Sequence, residues 1–154
     1  MERFRIWRIA AAGLVWAMLA VPWALSGRDE ATIEELKTRV GNLSIPDRPP
    51  LCIRISERQL DAADKFYAAG DIEKWKAALV DVVGFAELAR DYSIQSHKHE
   101  KQCEIAIRKE VHKLADLKHS VAHDDQEPVQ NAVDRLQRVR DDLLLAMFPK
   151  GGKK

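Results

Sequence analysis

The chain has 154 residues, which is enough for one modest domain with its own buried core. Lys and Arg number 25 against 24 Asp and Glu, and setting aside Arg3, Arg5, Arg8 and Glu2 leaves 22 basic against 23 acidic side chains. The two signs alternate along the chain, so it lacks the positive stripe that displaces counterions from a nucleic acid, and nucleic acid is excluded as a partner.

The N-terminus opens with a basic "MERFRIWR" and an uncharged run of 17 residues from Ile9 to Leu25. Ala24-Leu25-Ser26 then offers small residues at the two places that a signal peptidase reads. Residues 1–26 are therefore expected to be a signal peptide, with a mature chain beginning near Gly27 in the periplasm or outside the cell. A single-pass anchor needs about 20 apolar residues, with roughly 17 as the lower bound, so an uncleaved anchor is the alternative. A membrane is a partner only in that case. Export would carry Cys52 and Cys103 to a compartment where disulfides persist, and two cysteines allow one intrachain pair.

Residues 27–48 read as a short helix followed by a proline-rich linker. Thr32 and Glu35 have capping-box spacing and Gly41 suits a left-handed stop, which predicts a helix over 33–40. Pro46, Pro49 and Pro50 punctuate the next stretch. Asp47 is placed to cap the following helix, because prolines are tolerated in a first turn whose donors lack partners.

The helical domain proper is expected over 49–148. Its first helix runs to about Ala69, with Leu51, Ile55, Ala62 and Phe66 at helical spacing. Gly70 ends it and Asp71 caps its successor, making a tight helical hairpin. Trp75, Leu79 and Val82 are expected to pack across that hairpin on Leu51, Ile55 and Phe66. In "HDDQEP" (123–128), Asp124 and Glu127 have capping-box spacing. A last helix follows with Val129, Ala132, Leu136, Val139, Leu143 and Ala146 on one side, and "PKGGKK" (149–154) reads as a disordered tail. No strand pattern occurs, so the fold class is all-α.

Between Ile72 and Ala122 there is no proline and only Gly84. A coiled-coil heptad phase starting at Ile72 puts Ser93, Glu100, Ile107 and Leu114 at a positions, and Ser96, Cys103, Glu110 and Leu117 at d. The seam is thus apolar at both ends and polar in the middle. The expectation is one long central helix with a water-facing middle, met by an antiparallel C-terminal helix. The alternative is a compact three- to four-helix bundle with a break near Ser93–His97. A straight helix would keep Cys103 about 22 Å from Cys52 at about 1.5 Å per residue, whereas a break brings them level.

"SHKHEKQCE" (96–104) is the one cluster of ligand-type residues. On a helix, His97 and His99 point apart, and only His99 with Cys103, one turn on, can share an ion. Zinc wants four ligands, or three and a water, so His99 and Cys103 make half a site at most. His119 and His123 suit the polar end of a helix. No nucleophile elbow, phosphate loop, zinc-protease helix or haem-attachment motif occurs, and the reading is a non-enzyme without a cofactor.

Two families are approached. The hairpin Gln59–Val82, with Ala62, Ala63, Phe66, Gly70-Asp71 and Leu79, resembles one tetratricopeptide unit, although Trp75 stands where that family wants a small residue. One unit is visible where a solenoid needs about three. The resemblance implies a scaffold that binds an unknown protein partner, with Phe66, Gly70, Asp71 and Trp75 as its core hairpin. "ISERQ" (Ile55–Gln59) resembles the Leu-Thr-x-x-Gln motif of Spy/CpxP-type periplasmic proteins, present here once. That likeness implies, as the alternative function, a periplasmic stress or metal-responsive chaperone.

Overall fold

A computed structural model describes residues 31–149. The expected signal peptide and most of the expected tail lie outside the described residues. Among these residues there are five α-helices and no strand, an all-α helical bundle, and none of the helices is long and apolar enough to cross a membrane.

Helix α1 spans Ile33–Asn42. Its capping box forms as its spacing predicts: the Glu35 amide donates to Thr32 Oγ1 at 3.2 Å and the Thr32 amide to Glu35 Oε2 at 2.8 Å. Leu36 and Val40 on its inner side are buried. A 3-10 turn over Ile45–Asp47 leads into α2, Arg48–Ala68. The expected Asp47 cap does not form, because that carboxylate accepts the Ser44 hydroxyl at 2.5 Å instead. Arg48 braces the connection, donating from Nε to the Leu43 carbonyl at 3.0 Å while its guanidinium lies 5.0 Å from the Tyr92 ring centre.

Gly70, at φ 75°, turns the chain from α2 into α3, Ile72–Ser96. That left-handed backbone costs a glycine little, and Asp71 Oδ1 then accepts the Lys74 amide at 3.2 Å. Trp75, Leu79 and Val82 are buried, as is Ile55, while Leu51 and Phe66 are packed at the edge of the same core.

The long central helix does not exist. The chain leaves α3 at Ser96, and α4 begins at Glu100 and runs to Ser120. His97 and His99 both take the left-handed conformation, at φ 53° and 66°. The amides of His97 and Lys98 converge on the Ser93 carbonyl, a helix stop of the kind that glycine usually makes. Ser96 adds to it by donating its hydroxyl back to the Tyr92 carbonyl at 2.7 Å, a local bond that competes with helix continuation. What drives the reversal is burial. Ser93, expected at the edge of a water-facing middle, lies in the interior, as do Cys103 and Glu110 on α4.

Helix α5, Gln126–Met147, follows a second 3-10 turn over His123–Asp125. The expected Asp124–Glu127 capping box is not formed. Asp125 occupies the cap position, and its carboxylate accepts the Tyr67 hydroxyl at 3.0 Å instead.

The four long helices run alternately up and down, with α2 beside α3 and α4, and α5 beside both α3 and α4. The pairs Ser56–Glu110 and Asp61–Lys113 advance in the same sense, so α2 and α4 are parallel. Glu87–Arg135 and Arg90–Asp142 show the same for α3 and α5. The reversal at 97–99 therefore crosses one end of the bundle diagonally. Helix α1 straps the α2–α3 hairpin, its Lys37 Nζ reaching Asp81 Oδ2 at 2.8 Å, where Gln59 Nε2 also donates at 2.7 Å.

His97→Gly tests the reversal by sign. Removing the left-handed penalty on a side-chain-bearing residue should stabilise the fold by about 0.5–1 kcal/mol in urea unfolding. Glycine inside an unbroken helix would destabilise by a similar amount.

Candidate functional site

The bundle centre carries a polar layer. Ser56, one turn after Cys52 on α2, is fully buried between α3 and α4. Its Oγ lies 2.9 Å from the Val82 carbonyl on α3 and 3.0 Å from Glu110 Oε2 on α4. Glu110 is only 1% exposed, and its Oε1 has no hydrogen-bond partner among the described residues. Burial pushes its carboxyl up to about 8, against a smaller opposing pull from the Ser56 hydrogen bond; Glu57 adds to the rise and Lys113 subtracts.

Beside this layer, Cys103 Sγ sits 3.2 Å from Ser93 Oγ. Burial raises both thiols, that of Cys52 to about 12, with the neighbouring Cys103 adding to it and Arg48 opposing. A straight helix would have held these cysteines far apart; the reversal brings α4 back alongside α2 and the two thiols within electrostatic reach. Both are free. The next residue, Glu104, is buried with its Oε1 accepting from Arg140 Nε at 2.8 Å, which fixes α4 against α5.

Among the residues singled out from the sequence, His99 is the cap residue of α4 and Cys103 lies one turn into the same helix. His99 stands half-exposed at the head of α4, and its carbonyl accepts the Cys103 amide at 2.8 Å, while the Cys103 thiol is buried. Among the described residues, no three or more His, Cys, Asp or Glu side chains are grouped to hold a metal ion. His97 is 86% exposed, 3.9 Å from Glu100. Phe66 lies under Lys74, whose Nζ is 5.8 Å from the ring centre. Trp75 packs at 5.0 Å on Tyr67, and its Nε1 has no hydrogen-bond partner among the described residues. Within "ISERQ", Ser56 and Gln59 both turn inward and bond to α3; Gln59 does so through Asp81.

The sequence reading missed Glu110 and Tyr67. Glu110 carried a signal, a charged residue at a d position between apolar neighbours. Tyr67 carried none: its hydroxyl accepts the Ala122 amide at 2.7 Å and donates to Asp125, joining the ends of both hairpins, and only the tertiary fold brings those groups together.

No family model, no curated protein and no solved structure matches this chain.

The thiols give a direct check on this geometry. Buried thiols with raised pKa values carry little thiolate, so iodoacetamide at pH 7 should label neither cysteine of the native chain on the timescale that labels free cysteine. In denaturing urea both should react at once. Rapid native labelling of Cys103 would contradict its placement.

Proposed function

We propose that this chain is an exported, non-catalytic helical scaffold that binds a protein partner through the outer face of α3. One observation carries the reading. Helix α3 buries a full apolar face, yet its opposite face is apolar too, with Val80 66% exposed and Leu88 37% exposed. At about 100° per residue, Ala77, Val80, Gly84 and Leu88 fall within about 80° of arc. An exposed apolar stripe set among charged side chains suits a surface that is covered in use. It borders a groove between α3 and α5 in which Leu79, Val83, Pro128 and Ala132 are flanked by Lys76, Glu127, Asn131 and Arg135.

The stripe is closed at its two ends by Glu73 and Asp91, both exposed. An amphipathic helix with basic residues flanking its apolar face fits that pattern. The tetratricopeptide-like hairpin Gln59–Val82 adds to the scaffold reading. The buried ionisable side chains have structural work, Glu104 with Arg140 and Glu110 with Ser56, which agrees with a role in binding rather than catalysis. Export rests on the basic N-terminus, the apolar run Ile9–Leu25 and Ala24-Leu25-Ser26.

A photo-crosslinking amino acid at position 80 of the full chain, expressed in its host, should give discrete protein adducts that Leu88→Lys suppresses. The same probe at Arg108, exposed on α4, should give none. Identical adduct patterns at both positions would remove the α3 face from consideration. For export, N-terminal sequencing should find a chain beginning near Gly27, whereas an intact Met1 in the membrane fraction would make the segment an anchor.

A further inference from the structure

The contacts of Ser56 set a problem in counting protons. Its single hydroxyl hydrogen is within reach of the Val82 carbonyl at 2.9 Å and of Glu110 Oε2 at 3.0 Å. A carboxylate and a carbonyl are both acceptors only, so one proton cannot serve both contacts. If Glu110 were ionised, one of these oxygen pairs would face each other bare, and the charge would sit in a layer where Oε1 has no hydrogen-bond partner among the described residues. A protonated carboxyl resolves this: Glu110 donates to Ser56 Oγ, and Ser56 donates to the Val82 carbonyl. Each short contact then holds one hydrogen.

We propose that Glu110 is held as the neutral acid and acts as a proton-controlled latch between the α2–α3 hairpin and the α4–α5 hairpin, so that its ionisation loosens α4 from Ser56 and Val82. Among the described residues no cation pairs directly with the Glu110 carboxyl, and the pull of Lys113 is the smallest of the influences on it. From α2, Glu57 opposes ionisation. On α4 itself, Lys113 favours the charged form, but it is exposed and its Nζ is 3.3 Å from Asp61, while Cys103 is a buried thiol whose pKa burial raises. From α3 the group facing Glu110 is the Val82 carbonyl. On α5, the pairs Glu104–Arg140 and Lys118–Gln130 place Leu136 level with Glu110, and the neighbouring cations Arg135 and Arg140 are paired with Glu87 and Glu104.

The direction of the effect follows from linkage. The carboxyl loses its proton near 4.5 in the unfolded chain and near 8 in the folded one. Between those values the folded state holds a proton that the unfolded state has released. Stability is therefore fully present below about 4.5 and falls as pH rises, by up to about tenfold in the folding constant per unit, until about 8.

The test compares the full chain with Glu110→Gln, whose amide can still donate to Ser56 but cannot ionise. Urea unfolding from pH 5 to 9 should show the wild-type folding constant falling at least a hundredfold relative to that of the variant, the exposed histidines cancelling in the comparison. At pH 9, iodoacetamide should label Cys103 at least tenfold faster in the wild type than in the variant, reporting the opened interface. Parallel stability profiles, or equal labelling rates, overturn the latch. Should the variant not fold, carbon-13 NMR of the wild-type side-chain carboxyls decides: Glu110 titrating above about 7 supports the proposal, and titration in the ordinary carboxylate range ends it.

Discussion

A helix of 51 residues and a bundle of two hairpins can share nearly the same seam of side chains, and what separates them here is a reversal built without glycine or proline. His97 and His99 accept left-handed backbone, a conformation that costs an L-residue about 1–2 kcal/mol. That cost is met by what the reversal places in the interior: Cys103, Ile107 and Leu114 of α4 against the faces of α2 and α3, and Val129, Leu136 and Val139 of α5 behind them. At about 1.5–3 kcal/mol for each large apolar side chain, even a few such burials outweigh two strained residues. Without the turn, α4 and α5 would form a separate arm.

The core created this way is mixed in character. Ser56, Ser93, Glu104 and Glu110 are all interior. Each has a partner on another helix, and each such bond holds only in one register. The contribution of such groups is less to net stability than to uniqueness, since a polar group in the interior penalises any packing that leaves it alone. The ion pairs along α3 and α5, Arg135 with Glu87 and Arg90 with Asp142, are more exposed. They contribute at most about 1 kcal/mol each, but they join two parallel helices whose like ends face each other.

Much of this organisation is written locally. The Thr32–Glu35 capping box and the Gly70-Asp71 turn are short-range devices, and each performs the role its spacing implies. Where the capping expectations failed, a different bond had formed at the helix start. Asp47 accepts from its near neighbour Ser44, and at the start of α5 Asp125, bound to Tyr67, takes the cap position expected for Asp124. The reversal was illegible for a related reason. Histidine tolerates left-handed backbone better than most residues but does not announce a turn as glycine does. The polar seam between Ser93 and Glu100 looked like solvent exposure, because a heptad phase cannot distinguish a polar residue facing water from one facing another polar residue. Glu110 between Ile107 and Leu114 was the visible anomaly, and the site at the bundle centre is built around it.

Tyr67 has a consequence for how the chain assembles. Its hydroxyl joins the end of the first hairpin to the turn that closes the second, so both tips lie at one end of the bundle. Each hairpin is made of chain neighbours closed by a short turn, and closing such loops costs little entropy. Docking one hairpin on the other brings together residues more than fifty positions apart, as in Ser56 with Glu110 and Tyr67 with Ala122. Low contact order therefore governs the formation of each half, and the docking step carries the long-range cost. A chain emerging N-terminus first completes α2 and α3 before α4 exists, and during that interval Ser56 and Val82 have no α4 to cover them.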